Sequence, residues 1–298
     1  MQARPRGGPF TFAVVGRDEA KTLAGVLEQA QHAALPGDRV WFVDSASRDD
    51  SATIARRLGV EVVGAPAGKG RAIAAALDRC EQGYICFIDA DLFGWTTNIP
   101  ATLRAAVLAS GAEMVVGGYE SDRRRSITPA IYWPLVDALF PDHGGPRYPR
   151  PLSGLRAIDV TVPVGPLPPG YGVETHLNLA FAAAGRTVCL ADLGVVRGPL
   201  RGYANVNEVA TAVTAAILDF AVTHGRLDAD LRPRWEGWVR EVLDVIAGQP
   251  PPGAPDEDYL ARLEAVGGRP LPPARKGDRS VGAAPIPGRL APIPGRRT

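Results

Sequence analysis

Cysteine is nearly absent, with only Cys80, Cys86 and Cys189 in 298 residues. An odd, sparse set with no CxxC pair excludes a disulfide framework and argues against a structural zinc site. Cys86 and Cys189 fall in apolar runs and read as core residues. The chain also lacks any uninterrupted apolar stretch near the ~20 residues a membrane crossing requires, and no basic–apolar–small signal pattern opens it. The expectation is therefore a cytoplasmic protein without membrane insertion. A dominant charge is missing too: the formal net charge of +1 gives no global reason to expect nucleic acid.

What is present is ordinary globular material, 46% hydrophobic and 22% charged, enough for one large domain or a domain with an appendage. The charge is unevenly placed. From Arg269 onward seven basic residues face one acid, Asp278, so a tail of +6 leaves the first 268 residues near −5. Residues 1–10 are rich in Arg, Pro and Gly and read as a disordered end. Residues 249–298 read as a Pro/Gly/Arg-rich linker, a short helix at 256–266 and a disordered tail, in which Ala284-Pro-Ile-Pro-Gly-Arg is repeated from Ala291.

Between these ends strand and helix patterns alternate. Strands are expected at 11–15, 40–44, 60–63 and 84–88, with helices at 19–33, 52–58 and 71–80 between them. Four alternations in ninety residues imply βαβ units, right-handed crossovers and a mostly parallel α/β sheet flanked by helices. The spacing further predicts helices at 101–109, 131–139, 174–184, 206–222 and 235–246, and strands at 113–117 and 187–191. These elements fall into two halves, 11–120 and 121–248. The apolar side of the 235–246 helix suggests a homodimer surface.

In such sheets ligands bind beyond the carboxyl ends of the strands. Those ends carry Arg17, Asp18 and Glu19 after the first strand, Asp44 and Ser45 after the second, and Asp89-Ala90-Asp91 after the fourth. Asp89 and Asp91 fall on one side of an extended chain, where two carboxylates repel unless a cation joins them. Mg2+ or Mn2+ fits, since these ions take one or two carboxylates plus phosphate oxygens. Solvated loop acids are the plainer alternative, but a continuous apolar strand delivers this pair to the sheet edge. Asp44 suits hydrogen bonding to a base or ribose, while Asp49 or Asp50 suits a helix cap. Gly68-Lys69-Gly70 reads as a phosphate turn, its glycines exposing N–H groups and Lys69 adding a charge. It is not a P-loop, whose glycine spacing and following Ser/Thr are missing.

Taken in order, seven runs resemble one family: Arg17-Asp18-Glu19-Ala20, Val43-Asp44-Ser45-x-Ser47, Gly68-Lys69-Gly70, Phe87-Ile88-Asp89-Ala90-Asp91-Leu92, Pro151-Leu152-Ser153-Gly154, Gly170-Tyr171-Gly172-Val173-Glu174 and Asp192-Leu193-Gly194. The chain resembles the GT-A-fold glycosyltransferases, and among them is most similar to the glucosyl-3-phosphoglycerate synthases, over roughly residues 10 to 200. The resemblance implies a UDP- or GDP-sugar donor, a divalent metal and retention at the anomeric carbon. It assigns Arg17, Asp18, Glu19, Asp44 and Ser45 to the nucleoside, and Lys69 to the donor. Asp89, Ala90 and Asp91 go to the diphosphate and metal, Arg197 to the leaving group, and Glu174 to the reacting sugar or acceptor. The small-molecule acceptor falls to Ser126, Thr128, Ser153, Gly154, Tyr171 and Gly172.

Two departures stand out. Where the family follows Asp-Leu-Gly with an arginine and then a histidine that completes the metal site, this chain has Arg197-Gly198-Pro199. Where the family reads phosphoglycerate with Arg-x-Thr, counting back from Pro134-Leu135 gives Ser126 and Thr128. An acceptor of glycerate type and an alcohol or thiol of natural-product assembly both remain open. Two other classes are a sugar-phosphate nucleotidyltransferase, whose Gly-rich basic first loop is missing here, and a non-catalytic nucleotide-sugar binder.

Overall fold

The computed structural model describes residues 8–121, 127–142, 150–199, 203–247 and 269–277. The chain forms two compact units, one from Met1–Arg123 with Gly145–Leu200, the other from Arg124–Gly144 with Arg201–Thr298.

The first unit is built on strands β1 (Phe10–Gly16), β2 (Arg39–Asp44), β3 (Glu61–Gly64), β4 (Tyr84–Asp89), β5 (Gly94–Trp95), β6 (Met114–Glu120), β7 (Arg156–Asp159) and β8 (Val188–Arg197). They order as β3-β2-β1-β4-β7-β6-β8-β5. β1 to β4 are parallel, β7 inserts antiparallel between β4 and β6, and β6 pairs with β8 in parallel. Helices α1 (Leu23–Ala33), α2 (Ser51–Arg57), α3 (Lys69–Arg79), α4 (Ile99–Ser110) and α6 (Val173–Ala183) flank the sheet.

Alternation along β1 shows how the core is made. Phe12 and Val14 face one cluster with Leu23 and Leu27 of α1 and Leu103 and Val107 of α4. Ala13 and Val15 face another with Ile73 and Ala76 of α3 and Leu177 and Phe181 of α6. A strand buried on both faces is apolar on both, which is why Phe12 to Val15 forms a continuous run rather than an alternating one.

Register decides where the polar strand ends meet. Gly16 pairs with Asp44, and Val15 with both Val43 and Asp89. The carboxyl ends of β1, β2 and β4 therefore fall on one edge of the sheet.

Several expected boundaries shift. The helix expected from residue 19 begins at Leu23, because residues 19–22 form a turn in which the Thr22 hydroxyl donates to the Ala90 carbonyl (2.8 Å). The strand expected to end at Asp192 runs on to Arg197, and β5 and β7 are short strands that no periodicity announced. The sheet also takes β7 and β8 from beyond residue 120, so a donor half closing at 120 and a contiguous acceptor half from 121 do not describe these units.

The second unit holds a π-helical turn (Thr128–Tyr132), α5 (Trp133–Leu139), α7 (Tyr203–Thr223), a 3-10 turn (Ala229–Leu231) and α8 (Arg232–Ala247). α7 has the length and composition of a membrane span, yet its Val213, Ile217 and Ala221 are fully buried, as in a core helix. The homodimer surface expected on 235–246 is corrected in the same way. Trp235, Trp238, Val239, Val242, Leu243 and Ile246 are buried in the chain's own fold, so that apolar face is not available to a partner.

The tail expectation is corrected over residues 269–277, which pack as a strap; the helix expected at 256–266 lies outside the described residues. Leu271 is buried, the Trp235 indole N–H donates to the Pro273 carbonyl (3.2 Å), and the Asp228 N–H donates to the Ala274 carbonyl (2.9 Å). Leu271→Ala removes about 2 kcal/mol of apolar burial and should lower the thermal midpoint by about 5 °C. An unchanged calorimetric midpoint would show that the strap contributes nothing.

Candidate active site

The loops after β1 and β2 are bound to each other. The Asp18 N–H donates to Ser47 Oγ (3.0 Å), the Arg48 N–H donates to Asp18 Oδ1 (2.6 Å), and the Glu19 N–H donates to Ser51 Oγ (3.0 Å). Asp44 Oδ1 accepts from the Ser47 N–H (2.9 Å), and Asp49 accepts from the Ser51 hydroxyl (2.5 Å) and the Ala20 N–H (3.0 Å). Asp18 and Ala46 sit at φ +58° and +60°, a left-handed conformation that Asp tolerates and Ala rarely adopts. Arg17 lies beside Asp18 (3.5 Å), with both side chains partly exposed. One oxygen of Asp44 thus shapes the loop at the edge where β1, β2 and β4 end.

At the end of β4 the loop is fixed by its middle residue. The Ala90 N–H donates to the Val15 carbonyl (2.9 Å), its own carbonyl accepts from Thr22, and its methyl is buried. Ala90 therefore serves the loop's shape, with Asp89 and Asp91 on either side.

Lys69 stands at the centre of the site. Its Nζ lies 2.9 Å from Asp89 Oδ1 and 2.7 Å from Glu174 Oε1. Glu174 is almost completely buried at the first turn of α6. Burial alone would depress the Lys69 pKa, but the charges and hydrogen bonds of Asp89 and Glu174 overturn that and hold the ammonium well above the ordinary lysine range. A raised folded-state pKa gives stability that is fully present below the ordinary lysine value and is lost only as pH rises through the folded value. Lys69 therefore stays charged throughout the neutral and mildly alkaline range.

The phosphate-turn reading of Gly68-Lys69-Gly70 needs correction. These residues open helix α3, and their glycines answer a steric demand. A Cβ on Gly70 would collide with the Pro168 carbonyl, and one on Gly68 would lie 2.5 Å from the Pro169 carbonyl. The Gly68 N–H donates to Ser45 Oγ (2.9 Å) rather than standing open for an anion, and Ser45 is buried. The close approach brings the start of α3 against the segment leading into α6, and so brings Lys69 to Glu174.

Gly154 completes the cluster by having no side chain. A Cβ there would lie 2.5 Å and 2.7 Å from the two Asp89 carboxylate oxygens and 2.7 Å from Lys69 Nζ. Gly154→Ala should break the Lys69–Asp89 contact and lower turnover about 10²-fold, the scale of a 1 Å misplacement in a reacting site. Native turnover in that variant would show that the cluster tolerates displacement.

Arg197, 77 residues beyond the end of β6, is brought close to the loop after β4 by pairing. Gly94 of β5 registers with Arg197 of β8, and the Phe93 N–H donates to the Arg197 carbonyl (3.1 Å), so Arg197 lies beside the segment that follows Asp91. Of the residues expected at the acceptor, Ser153 is buried, with Oγ accepting from the Leu155 N–H (3.2 Å), and Tyr171 and Gly172 lead into α6. Thr128 starts the π-helical turn of the second unit, and Ser126 lies outside the described residues. His176 Nε2 contacts the Val164 carbonyl (2.7 Å), a loop contact rather than a metal-ligand position.

The carboxylates expected to hold a metal are Asp91 and Asp89. Among the described residues no three His, Cys, Asp or Glu side chains gather, and one oxygen of Asp89 already faces Lys69. One or two carboxylates plus phosphate oxygens satisfy Mg2+ or Mn2+, so these residues fit such an ion with Asp91 as its principal protein ligand.

A mostly parallel sheet with paired aspartates, a lysine and a buried glutamate at its carboxyl edge defines a GT-A-type glycosyltransferase. Residues 12–119 match the model of Glycosyl transferase family 2. An uncharacterized glycosyltransferase of Mycobacterium tuberculosis (strain ATCC 25618 / H37Rv) is 30% identical over 226 residues, covering 72% of this chain and 97% of the relative. The chain belongs to the glycosyltransferases, with a family 2 domain at residues 12–119. Among solved structures it is similar to glucosyl-3-phosphoglycerate synthase from Mycobacterium tuberculosis in complex with Mn2+, UDP-glucose and phosphoglyceric acid. That match has 26% identity and a TM-score of 0.66, covering 75% of this chain and 82% of that one. The same enzyme with Mg2+ and UDP gives 26% identity, a TM-score of 0.66 and the same coverage. The nucleotidyltransferase and non-catalytic readings give way to this family.

Proposed function

We propose that this glycosyltransferase moves a hexosyl group from a UDP-sugar, UDP-glucose first and a GDP-sugar second, to a small-molecule acceptor in the cytoplasm. Retention at the anomeric carbon follows the resemblance to the glucosyl-3-phosphoglycerate synthases. The observation that carries the reading is the Asp89–Lys69–Glu174 cluster at the carboxyl edge of the sheet, 2.9 Å and 2.7 Å across its two contacts. It puts a fixed cation next to the diphosphate-binding acids and a buried carboxylate on its other side.

In this reading Asp91 and Asp89 hold Mg2+ or Mn2+, which neutralises charge on the departing diphosphate when bound. Lys69 and Arg197 add cationic stabilisation that is already in place before the sugar bond breaks. Arg17, Asp18, Glu19, Asp44 and Ser45 take the nucleoside. Glu174 orients the acceptor hydroxyl; transfer on one face of the sugar needs no separate general base. Ser153, Gly154, Tyr171 and Gly172 border the sugar and acceptor.

Phosphoglyceric acid is the first acceptor to try, since a similar enzyme is solved with it. A second reading, a natural-product alcohol or thiol, is favoured by Ser126 at the place where the resembled family has an arginine. The test is UDP release and product NMR with UDP-glucose, Mn2+ and each acceptor in turn. Acceptor-dependent UDP release with an α-linked product supports the proposal. Absence of both binding and transfer with every UDP- and GDP-sugar would overturn it.

A further inference from the structure

Arg156 is fully buried in the middle of the sheet, on β7 between Phe87 of β4 and Val116 of β6. Packing alone does not call for a guanidinium there, because taking that charge out of water costs several kcal/mol. Its donors account for its place. Nε and Nη2 both reach the Ser153 carbonyl (3.1 and 2.6 Å), and Nη2 also approaches the Pro151 carbonyl (3.3 Å). Nη1 reaches Asn178 Oδ1 (3.2 Å) and the Glu174 carbonyl (3.4 Å).

Asn178, one helical turn after Glu174, closes the frame by donating Nδ2 to the Pro151 carbonyl (2.8 Å). One planar fork with five N–H donors thus ties the Pro151–Gly154 turn to the helix that carries Glu174. That turn ends in Gly154, the residue whose Cα faces Asp89 and Lys69 at a spacing too small for a methyl group.

We propose that Arg156, with Asn178, is a positioning residue that sets the distance between the Gly154 turn and α6, and so keeps Lys69, Asp89 and Glu174 in register. It acts through backbone carbonyls and touches neither donor nor acceptor. The inference rests on the reading of that cluster as the reacting site.

Two measurements test it separately from that reading. In turnover, Arg156→Met should lose about 10²-fold with the donor KM unchanged. Arg156→Lys should not restore it, because one ammonium cannot span the Ser153 carbonyl and Asn178. Native turnover in either variant overturns the proposal. In stability, a double-mutant cycle of Lys69→Met and Glu174→Gln, read by urea unfolding, should show coupling in the native background and its loss beside Arg156→Met. Coupling that persists undiminished beside Arg156→Met overturns the positioning role, whatever the activity. A native chain that transfers nothing, but loses coupling in the variant, overturns the functional reading and leaves the positioning role standing. Should Arg156→Met fail to fold, Asn178→Asp keeps an oxygen facing Arg156 but replaces the N–H donor to the Pro151 carbonyl by a second, repelling carboxylate oxygen. Lower turnover and weaker coupling are expected there, and native values of both overturn the proposal.

Discussion

Replacing Asp91 with Asn should abolish transfer while leaving the fold intact. The side chain keeps its size, so no cavity forms and no strand moves. What disappears is the negative charge of the one acid in the pair whose partner at the sheet edge is not Lys69. Asp89 has an oxygen 2.9 Å from the Lys69 ammonium and is already half neutralised before any metal arrives. Charge stabilisation of the departing group by a metal is worth several kcal/mol, so a loss of about 10³-fold in turnover is expected at 1.4 kcal/mol per tenfold. Calorimetric titration of UDP with and without Mn2+ checks the cause. The variant should bind UDP as the native chain does without metal and gain nothing when Mn2+ is added. Unchanged turnover would remove Asp91 from the site.

Lys69→Met should be damaging in two ways at once. Asp89 and Glu174 would face each other with no cation between them, and Glu174 is almost completely buried. Breaking a buried ion pair by removing one partner costs about 3–5 kcal/mol. Turnover should fall by a further factor of about 10²–10³ through loss of the fixed charge facing the leaving group. Lys69→Arg should not repair either loss, since the Gly154 position leaves no room for a planar fork beside Asp89. Urea unfolding and turnover together decide the matter. A variant of native stability would show that the two carboxylates are held apart by other means.

The polar edge of the sheet is legible in the sequence because its signals are local. An apolar run ending on a charged residue announces a buried strand with a polar tip, and β1, β2 and β4 each carry that pattern in Val15-Gly16-Arg17, Val43-Asp44 and Ile88-Asp89. Glu174 and Arg197 came from resemblance alone; what brings them to the site lies far away in sequence. The carbonyls of Pro168 and Pro169 crowd Gly68 and Gly70, and the two-residue strand Gly94–Trp95 pairs with the end of β8. A glycine needed for close approach and a glycine exposing its N–H are spelled the same way, so Gly68-Lys69-Gly70 was read for the wrong one of its two physical meanings. Arg156 was invisible for a related reason. An arginine inside an apolar strand looks like an interruption until the carbonyls around it are known. The apolar stripe of α8 announces a face that must be covered, but what covers it, the chain's own core and the Leu271 strap rather than a second copy, is not a property of the helix itself.

The cross-linked loops after β1 and β2 have a thermodynamic consequence. A segment that must be ordered by its ligand loses about 1–2 kcal/mol of conformational entropy per residue fixed, and that loss is subtracted from affinity. Here Asp18, Ser47, Arg48, Glu19 and Ser51 hold one another by hydrogen bonds of 2.6 to 3.0 Å. A nucleoside entering between the loops meets a surface that has already surrendered its freedom during folding. Its binding should therefore show a small entropic penalty, and an association rate governed by diffusion and orientation rather than by loop closure.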